Sequence, residues 1–471
     1  MHYHVPGIAG AGMSAIAHLL LDQGHVVSGC DMQQNALTAE LAERSVEILH
    51  GHDPAHLAGV DVVATSSALR SEHPELAAAR ALGIPVLKRA DLWRQWSQRK
   101  PTLAIAGTHG KTTTTAMAAL MLQQLGYDPA YIVPAGGAVP GLDRFARWGS
   151  GPFVIEADEY DRLFLGLLPQ VAIITSVDWD HVDIYPQRAD VEAAFAQFAQ
   201  QTTGSVVICT DDAGASKLWQ AEQQAVGNRD QRRWLPYGLQ PNGGWWAGDI
   251  AVASGASSFT VYADERLDEP SGLVATIHVP GRHNVQNALG AAVGVYELLA
   301  HAVPLQRILT ALQVYQGAAR RFEWKGEAQD VVVIDDYAHN PPKVRAALQA
   351  TRERYPARRL VVYFQPHTFS RTAALVADFA GAFAAADELL IGDIYPSRER
   401  QADFPGVSSA WLAQQIDGPH VRAVGNLDAA VEALQQLVQP GDVVLTLGAG
   451  DGNQVGDRLL RRLEAAGSGA A

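Results

Sequence analysis

A chain of 471 residues with only two cysteines, Cys30 and Cys209, carries no disulfide framework, and their separation matches no metal-ligand spacing. Both read as reduced thiols in a core. Basic residues are also short: 36 Lys plus Arg face 50 Asp plus Glu, a formal charge of -14. Binding a nucleic-acid backbone needs the opposite surface, so no nucleic-acid partner is expected. No apolar run approaches the ~20 residues of a membrane helix. The opening residues, Met1 to Pro6, show no cationic stretch followed by an apolar one, so no secretory signal is expected. The chain therefore reads as cytoplasmic, with no membrane partner. No repeat recurs at solenoid periods. Disorder is excluded too, since 48% of residues are hydrophobic and 18% charged. The length predicts two to four domains, most simply three.

What is present is α/β patterning. Val26-Val27 and Val60–Thr65 read as strands, and Ser14–Gln23, Thr38–Glu43 and Pro74–Leu82 as helices. Such alternation predicts a parallel sheet covered by helices. The polar stretch Arg94 to Thr102 reads as a linker. A second unit opens with the apolar run Leu103–Ala106 and continues through strands at Phe153–Ile155, Val171–Thr175 and Ser205–Cys209. Residues 225–260 read as a loop in which Trp245 and Trp246 are buried anchors. Helical patterns at Val285–Leu299 and Leu305–Val314 follow. A third unit starts near Arg320, with strands at Val331–Asp335, Leu360–Phe364, Glu388–Ile391 and Asp442–Leu447. The Ala/Gly/Ser tail, 465–471, is expected to fray.

Two glycine loops carry the chemistry. The first, Gly10-Ala11-Gly12-Met13-Ser14-Ala15, matches G-x-G-x-x-A and opens a helix. Glycines admit a pyrophosphate to the backbone, and the helix N-terminus offers unpaired N–H groups. Asp31, nineteen residues past Gly12, stands where such units place an acid on a ribose hydroxyl. The ligand is a diphosphate, with NAD and a UDP-sugar both open. The second loop, Gly107-Thr108-His109-Gly110-Lys111-Thr112-Thr113, ends like a P-loop. Its amides would cradle phosphate, Lys111 would reach the β and γ oxygens, and Thr112 would ligate Mg2+. Ile105 stands where the first P-loop glycine usually is, so this is a shortened variant.

Acids follow the next strands. Glu156-Ala157-Asp158-Glu159-Tyr160-Asp161 and Asp178-Trp179-Asp180-His181-Val182-Asp183 both lie after strand-like runs, where Mg2+ ligands beside a P-loop belong. Asn284 and Asn287, three apart at a helix start, share a face. They can cap the helix or pair with an adenine edge.

The ordered motifs GTHGKTT, EADEYD, DWDHVD, PGRHNVQNA, GAARRF and DDYAHNP resemble the Mur ligases, ATP-dependent amide ligases of peptidoglycan precursor synthesis, over essentially the whole chain. The stretches GIAGAGMSAIA, SGCD, TSSAL and QPHTFSRT are similar to the branch that adds L-alanine to UDP-N-acetylmuramate. The resemblance implies an α/β fold in three domains. Residues 1–98 would be a Rossmann-like UDP-sugar domain, 99–318 a central P-loop ATPase-like domain, and 319–471 a Rossmann-like amino-acid-binding domain. It implies ATP, Mg2+, UDP-N-acetylmuramate and L-alanine as ligands, and a monomer or homodimer.

On the same resemblance, Gly10, Ala11, Gly12, Met13, Asp31 and Ser66 would bind the UDP-sugar. Gly107, Thr108, Gly110, Lys111, Thr112 and Thr113 would bind ATP phosphates, Asn284 and Asn287 the adenine, and Asp336 the ribose. Thr112, Glu156 and His181 would hold metal. Arg321 would cover the transferred phosphoryl group. Tyr337, His339 and Arg371 would surround the amino acid, with Arg371 on its carboxylate, and His339 would take the amine proton. The catalytic set would be Lys111, Glu156, His181, Arg321 and His339.

Ala9, Cys30, Asn340 and Thr368 depart from the family's usual residues. No lysine lies between His181 and Lys217, as in the alanine-adding branch and the related peptide-recycling ligase. Two alternatives stand beside the alanine ligase. One is a ligase attaching a preformed peptide to UDP-N-acetylmuramate in cell-wall recycling. The other is an NAD(P)-linked oxidoreductase, suggested by the first loop alone.

Overall fold

The computed structural model describes residues 1–134, 139–181, 184–225, 233–253, 255–418 and 420–468. Val182 and Asp183 of the second acidic motif, and 469–471 of the tail, lie outside the described residues. Among the described residues three sheets are formed. The first contains β1 (His2–Pro6), β2 (Val26–Asp31), β3 (Glu47–His50), β4 (Val62–Thr65) and β5 (Val86–Lys88), all parallel, in the order β3-β2-β1-β4-β5. Helices α1 (Ala11–Asp22), α2 (Ala36–Glu43) and α3 (Pro74–Ala81) connect them. Strand order reverses at β1, so the carboxyl ends of β1 and β4 border the crevice where doubly wound sheets bind ligands. The first glycine loop and Ser66 both sit there.

The expected linker at 94–102 is not one. Helix α4 (Arg89–Arg99) runs through it, and Thr102 starts the next strand. Leu92, Trp93 and Trp96 are buried, while Arg94, Gln98 and Arg99 are exposed, so the polar residues are the outer face of an amphipathic helix. Trp96 lies 5.4 Å from the Trp93 ring, 5.5 Å from Trp148 and 6.4 Å from Phe153. One apolar cluster thus runs from the first sheet through α4 into the second.

The second sheet holds β6 (Thr102–Ala106), β7 (Ala130–Ile132), β8 (Ala146–Arg147), β9 (Phe153–Glu156), β10 (Val171–Ile174), β11 (Ser205–Cys209), β12 (Arg233–Gly238), β13 (Trp245–Ala253), β14 (Ala256–Ala263) and β15 (Leu273–Ile277). Their order is β15-β14-β13-β12-β11-β10-β6-β9-β7-β8. Strand β6 lies between β9 and β10, parallel to both. Helices α5 (Lys111–Gln124), α6 (Arg188–Gln201), α7 (Ala213–Ala225) and α8 (Arg282–Leu298) belong to the same stretch of chain. Here a second expectation fails: much of 225–260 is strand, not loop. Serine, threonine and glycine hid the period of two, yet Ser257, Phe259, Val261 and Ala263 of β14 all point into the core. Trp245 is fully buried, and Trp246 stacks on Tyr262 at 5.3 Å, so both are anchors on a strand.

The third sheet contains β16 (Glu323–Ala328), β17 (Val331–Asp336), β18 (Leu360–Phe364), β19 (Glu388–Gly392), β20 (His420–Gly425) and β21 (Val443–Leu447), ordered β16-β17-β21-β18-β19-β20. All pairs are parallel except β16 with β17. Apolar clusters cover its two faces. The chain divides into two compact units. The first comprises Met1–Ala251, Ser258–His278 and Asn284–Gln316, and the second Val252–Ser257, Val279–His283 and Gly317–Ala471. Among the described residues, no helix is long and apolar enough to cross a membrane.

Candidate active site

The second glycine loop joins β6 to α5. Gly107 has φ +142°, and a Cβ there would stand 2.0 Å from the Thr175 Oγ1. Gly110 has φ +81°, and its Cβ would meet Asn287 Oδ1 at 2.5 Å. Only glycine fits either position. Asn287, in α8, is therefore packed on the loop that the sequence assigned to ATP. Asn284, one turn earlier, is likewise buried. The loop is tied to the segment after β10: the His109 N–H donates to Ser176 Oγ at 2.8 Å, and the Asp178 N–H to Thr108 Oγ1 at 2.9 Å.

Lys111 points back into this loop. Its ammonium donates to the Gly107 carbonyl and to Glu159 Oε2, both at 2.6 Å. Burial opposes the charge, but Glu159, Asp158 and Glu156 outweigh it and hold the Lys111 pKa above its ordinary value. Glu159 is almost fully buried. Desolvation alone would raise its pKa, but Lys111 and His181 bring it below the carboxylate range. His181 Nε2 lies 3.6 Å from Glu159 Oε1. Burial alone would lower the His181 pKa, but Glu159, Asp180 and Asp158 raise it. Thr113 follows Thr112 in the first turn of α5, and both are buried.

Thr112 Oγ1 donates to Glu156 Oε2 at 2.8 Å. The pair arises because β9 is in register with β6, Glu156 opposite Ile105. The donors fit a hard divalent cation: a hydroxyl and a carboxylate oxygen side by side, with the buried Glu159 Oε1 3.6 Å from His181. Sequence reasoning named Glu159 only as one of the acids of the EADEYD motif and gave it no role of its own.

The first glycine loop is held by its neighbours. The Gly7 N–H donates to the Cys30 carbonyl at 2.8 Å, the Ala9 N–H to Asp31 Oδ2 at 3.1 Å, and the Gln33 N–H to Asp31 Oδ1 at 3.2 Å. Asp31 thus already shapes the loop, and a carboxylate retains lone pairs for a hydroxyl. Gly10 and Ala11 are exposed, whereas the Met13 side chain is buried in the core, so only its backbone faces the loop. Beside Gly12 stands Arg89, which no motif flagged. A Cβ on Gly12 would lie 2.7 Å from its Nη1. Burial lowers the Arg89 pKa, with Asp158 and Asp161 opposing that shift, and its Nε is buried without a hydrogen-bond partner.

The second unit gathers its own cluster. The Phe322 and Ala338 N–H groups donate to the two oxygens of Asp336, each at 2.8 Å. The Arg321 guanidinium lies 5.1 Å from the Tyr337 ring centre. His339 Nδ1 lies 2.8 Å from the Tyr337 carbonyl, which can only accept, so Nδ1 carries a proton and, in the neutral ring, Nε2 carries the lone pair. The His339 and His367 rings are 5.9 Å apart, and Arg371 Nη1 donates to His367 Nδ1 at 3.3 Å. Burial and Arg371 push His367 down to about 4, so it is neutral. Tyr337, His339 and Arg371 are therefore brought together through His367, which sits inside the QPHTFSRT stretch. Asn340 caps the helix Pro341–Arg354, and Thr368 caps Phe369–Ala374, so two of the departures serve as helix caps.

Sequence profiles of three domains match the chain: the Mur ligase family catalytic domain over 2–101, the Mur ligase middle domain over 105–295, and the Mur ligase glutamate ligase domain over 320–450. A UDP-N-acetylmuramate--L-alanine ligase of Roseiflexus sp. (strain RS-1) is 49% identical over 98% of this chain and 99% of its own. Another, of Chloroflexus aggregans, is 47% identical over 98% of each. Among solved structures, a UDP-N-acetylmuramate-alanine ligase from Thermotoga maritima aligns with TM-score 0.78 and 28% identity, covering 99% of this chain and 100% of that one. A murein peptide ligase from Psychrobacter arcticus shares the fold, with TM-score 0.67 and 23% identity over 98% and 99% of the two chains.

Proposed function

The chain belongs to the Mur ligase family, with its three-domain α/β fold, and from that premise we propose the reaction in full. It joins L-alanine to the lactoyl carboxylate of UDP-N-acetylmuramate, converting ATP to ADP and phosphate, in the assembly of peptidoglycan precursors. The observation that carries the reading is full-length likeness, at 47–49% identity, to three ligases of that name. The domains divide the work: 1–98 take the UDP-sugar, 99–318 the ATP, and 319–471 the amino acid. ATP as phosphoryl donor puts the reaction in the cytoplasm.

A carboxylate does not acylate an amine, because oxide is a poor leaving group. Transfer of the γ-phosphoryl group makes an acyl phosphate, whose leaving group is phosphate. Both partners of that transfer are anions, so catalysis is largely a matter of opposing charge. Lys111 exchanges its Glu159 and Gly107 partners for phosphate oxygens, and Arg321 covers the transferred group. Thr112, Glu156 and His181 would hold Mg2+, which supplies further charge at the phosphates. Gly10, Ala11, Gly12, Asp31 and Ser66 line the diphosphate and ribose of the UDP-sugar, and Arg89 gives that anion a cation from α4. Asn284 and Asn287 take the adenine, and Asp336 the ribose of ATP. Arg371 pairs with the L-alanine carboxylate beside Tyr337. The L-alanine amine attacks the acyl carbon, and His339 Nε2 receives its proton.

The oxidoreductase alternative leaves Lys111, Glu156 and Glu159 without a role. The peptide-ligase alternative is separated by offering free L-alanine and the preformed tripeptide together with ATP and UDP-N-acetylmuramate. The alanyl product is expected; the tripeptide product alone would overturn the reading. Removing one charge-assisted pair costs about 1.5–3 kcal/mol, so Arg371→Ala should raise KM for L-alanine about 10- to 100-fold and leave KM for ATP in place.

A further inference from the structure

Behind the first glycine loop lies a buried group of side chains that the ligase reaction does not use. Glu75, in the first turn of α3, is fully buried. Among the described residues, every ion-pair partner of its carboxylate is a histidine. His56 Nδ1 is at 2.7 Å, His4 Nε2 at 3.5 Å, His52 Nδ1 at 3.6 Å and His73 Nδ1 at 4.0 Å. Cys30 Sγ lies 3.1 Å from each Glu75 oxygen. One ligand-capable atom each from His4, Cys30, His56 and Glu75 falls within 4.8 Å of all the others.

From these positions we infer that His4, Cys30, His56 and Glu75 form a zinc site. The donor set is one thiolate, two imidazoles and one carboxylate, the soft and borderline ligands that zinc takes in tetrahedral sites. With zinc–ligand bonds of about 2.0–2.3 Å, tetrahedral edges are roughly 3.3–3.7 Å. The Cys30–Glu75 and His4–Glu75 pairs, at 3.1 and 3.5 Å, approach this, the His56–Glu75 hydrogen bond must open, and the remaining pairs lie within 4.8 Å. His4 is fully buried, and its Nε2, aimed at Glu75, has no hydrogen-bond partner. Its Nδ1 lies 3.0 Å from Ser28 Oγ. When Ser28 accepts that proton, Nε2 presents its lone pair, as a metal-bound histidine requires. His52 Nδ1, 3.2 Å from Cys30 Sγ, gives the sulfur a further partner.

The four ligands come from β1, β2, the turn Pro54–Leu57 and α3, so the metal would pin these elements together. It would also steady the first glycine loop, because the Cys30 carbonyl accepts from the Gly7 and Ile8 N–H groups. No cysteine spacing announces the site; the β1–β2 register, with Pro6 beside Cys30, sets two of the ligands, and the turn and α3 bring the other two.

The test uses the untagged full chain dialysed against excess Mg2+, which occupies oxygen-ligand sites. Elemental analysis should find one zinc per chain, and cobalt substitution should give a thiolate-to-cobalt charge-transfer band in the near ultraviolet. Cys30→Ser should abolish the band, and Cys209→Ser should keep it. Ser28→Ala should weaken zinc binding about tenfold while leaving the fold intact. A wild-type chain that retains no zinc and shows no charge-transfer band overturns the inference. So does a band that follows Cys209, a comparison that stands even where Cys30→Ser fails to fold.

Discussion

The two glycine loops look alike and are built differently. Each leaves a buried parallel strand and opens a helix, β1 into α1 and β6 into α5. The first is shaped by acceptors behind it, the Cys30 carbonyl and Asp31, and borrows its cation, Arg89, from α4. The second carries its own cation and hydroxyl, Lys111 and Thr112, set against carboxylates from the neighbouring β9 and the segment that follows it. The charges diverge accordingly. Lys111 sits among acids that raise its pKa, whereas burial lowers that of Arg89. A loop that only holds a diphosphate can do so with backbone and one cation. A loop that moves a phosphoryl group needs counter-charges of both signs already in position.

Backbone space sets the largest difference. Gly107→Ala drives a Cβ into Thr175 and the Ser176 backbone, so it should destabilise the chain by about 3 kcal/mol or more in urea unfolding. Gly12→Ala meets only the far end of Arg89, and its cost should stay under about 1 kcal/mol. Equal costs would erase the contrast between the loops. Glu156→Gln comes next: removing the β9 carboxylate proposed to hold metal beside the second loop should lower kcat about 100-fold or more, with KM for UDP-N-acetylmuramate unchanged. Arg89→Ala should act the other way round, raising KM for UDP-N-acetylmuramate about tenfold and sparing KM for ATP. A shift in KM for ATP instead would assign Arg89 to the second loop.

The contrast also explains what could be read from residues alone. Lys111, Thr112 and Glu156 were legible because a P-loop is contiguous and its acids follow the adjacent strands in a fixed way. Arg371 and His339 were legible only through the family's motifs. Asp31 and Asp336 stand where a ribose acid is expected, but nothing local says that each would also accept two backbone N–H groups. Arg89 was invisible: a lone arginine at a helix start becomes a site residue only when packing of α4 sets it beside Gly12 and near Asp158. Part of the same helix was misread as a linker because, from Arg94 on, the buried Trp96 stands alone among polar neighbours. Strands β12 to β14 were missed for the opposite reason, since their small and polar residues disguise a buried face. The cluster around Glu75 spans His4 to Glu75, and only the packing of a turn and α3 on the sheet shows that these residues meet.

The division of labour between the loops is tested most directly by titrating Lys111→Ala with each nucleotide. Calorimetry should find UDP-N-acetylmuramate bound within about twofold of wild-type affinity, and ATP binding weakened at least about tenfold. A parallel loss of UDP-N-acetylmuramate binding, or ATP affinity left intact, would contradict the assignment of one nucleotide to each loop.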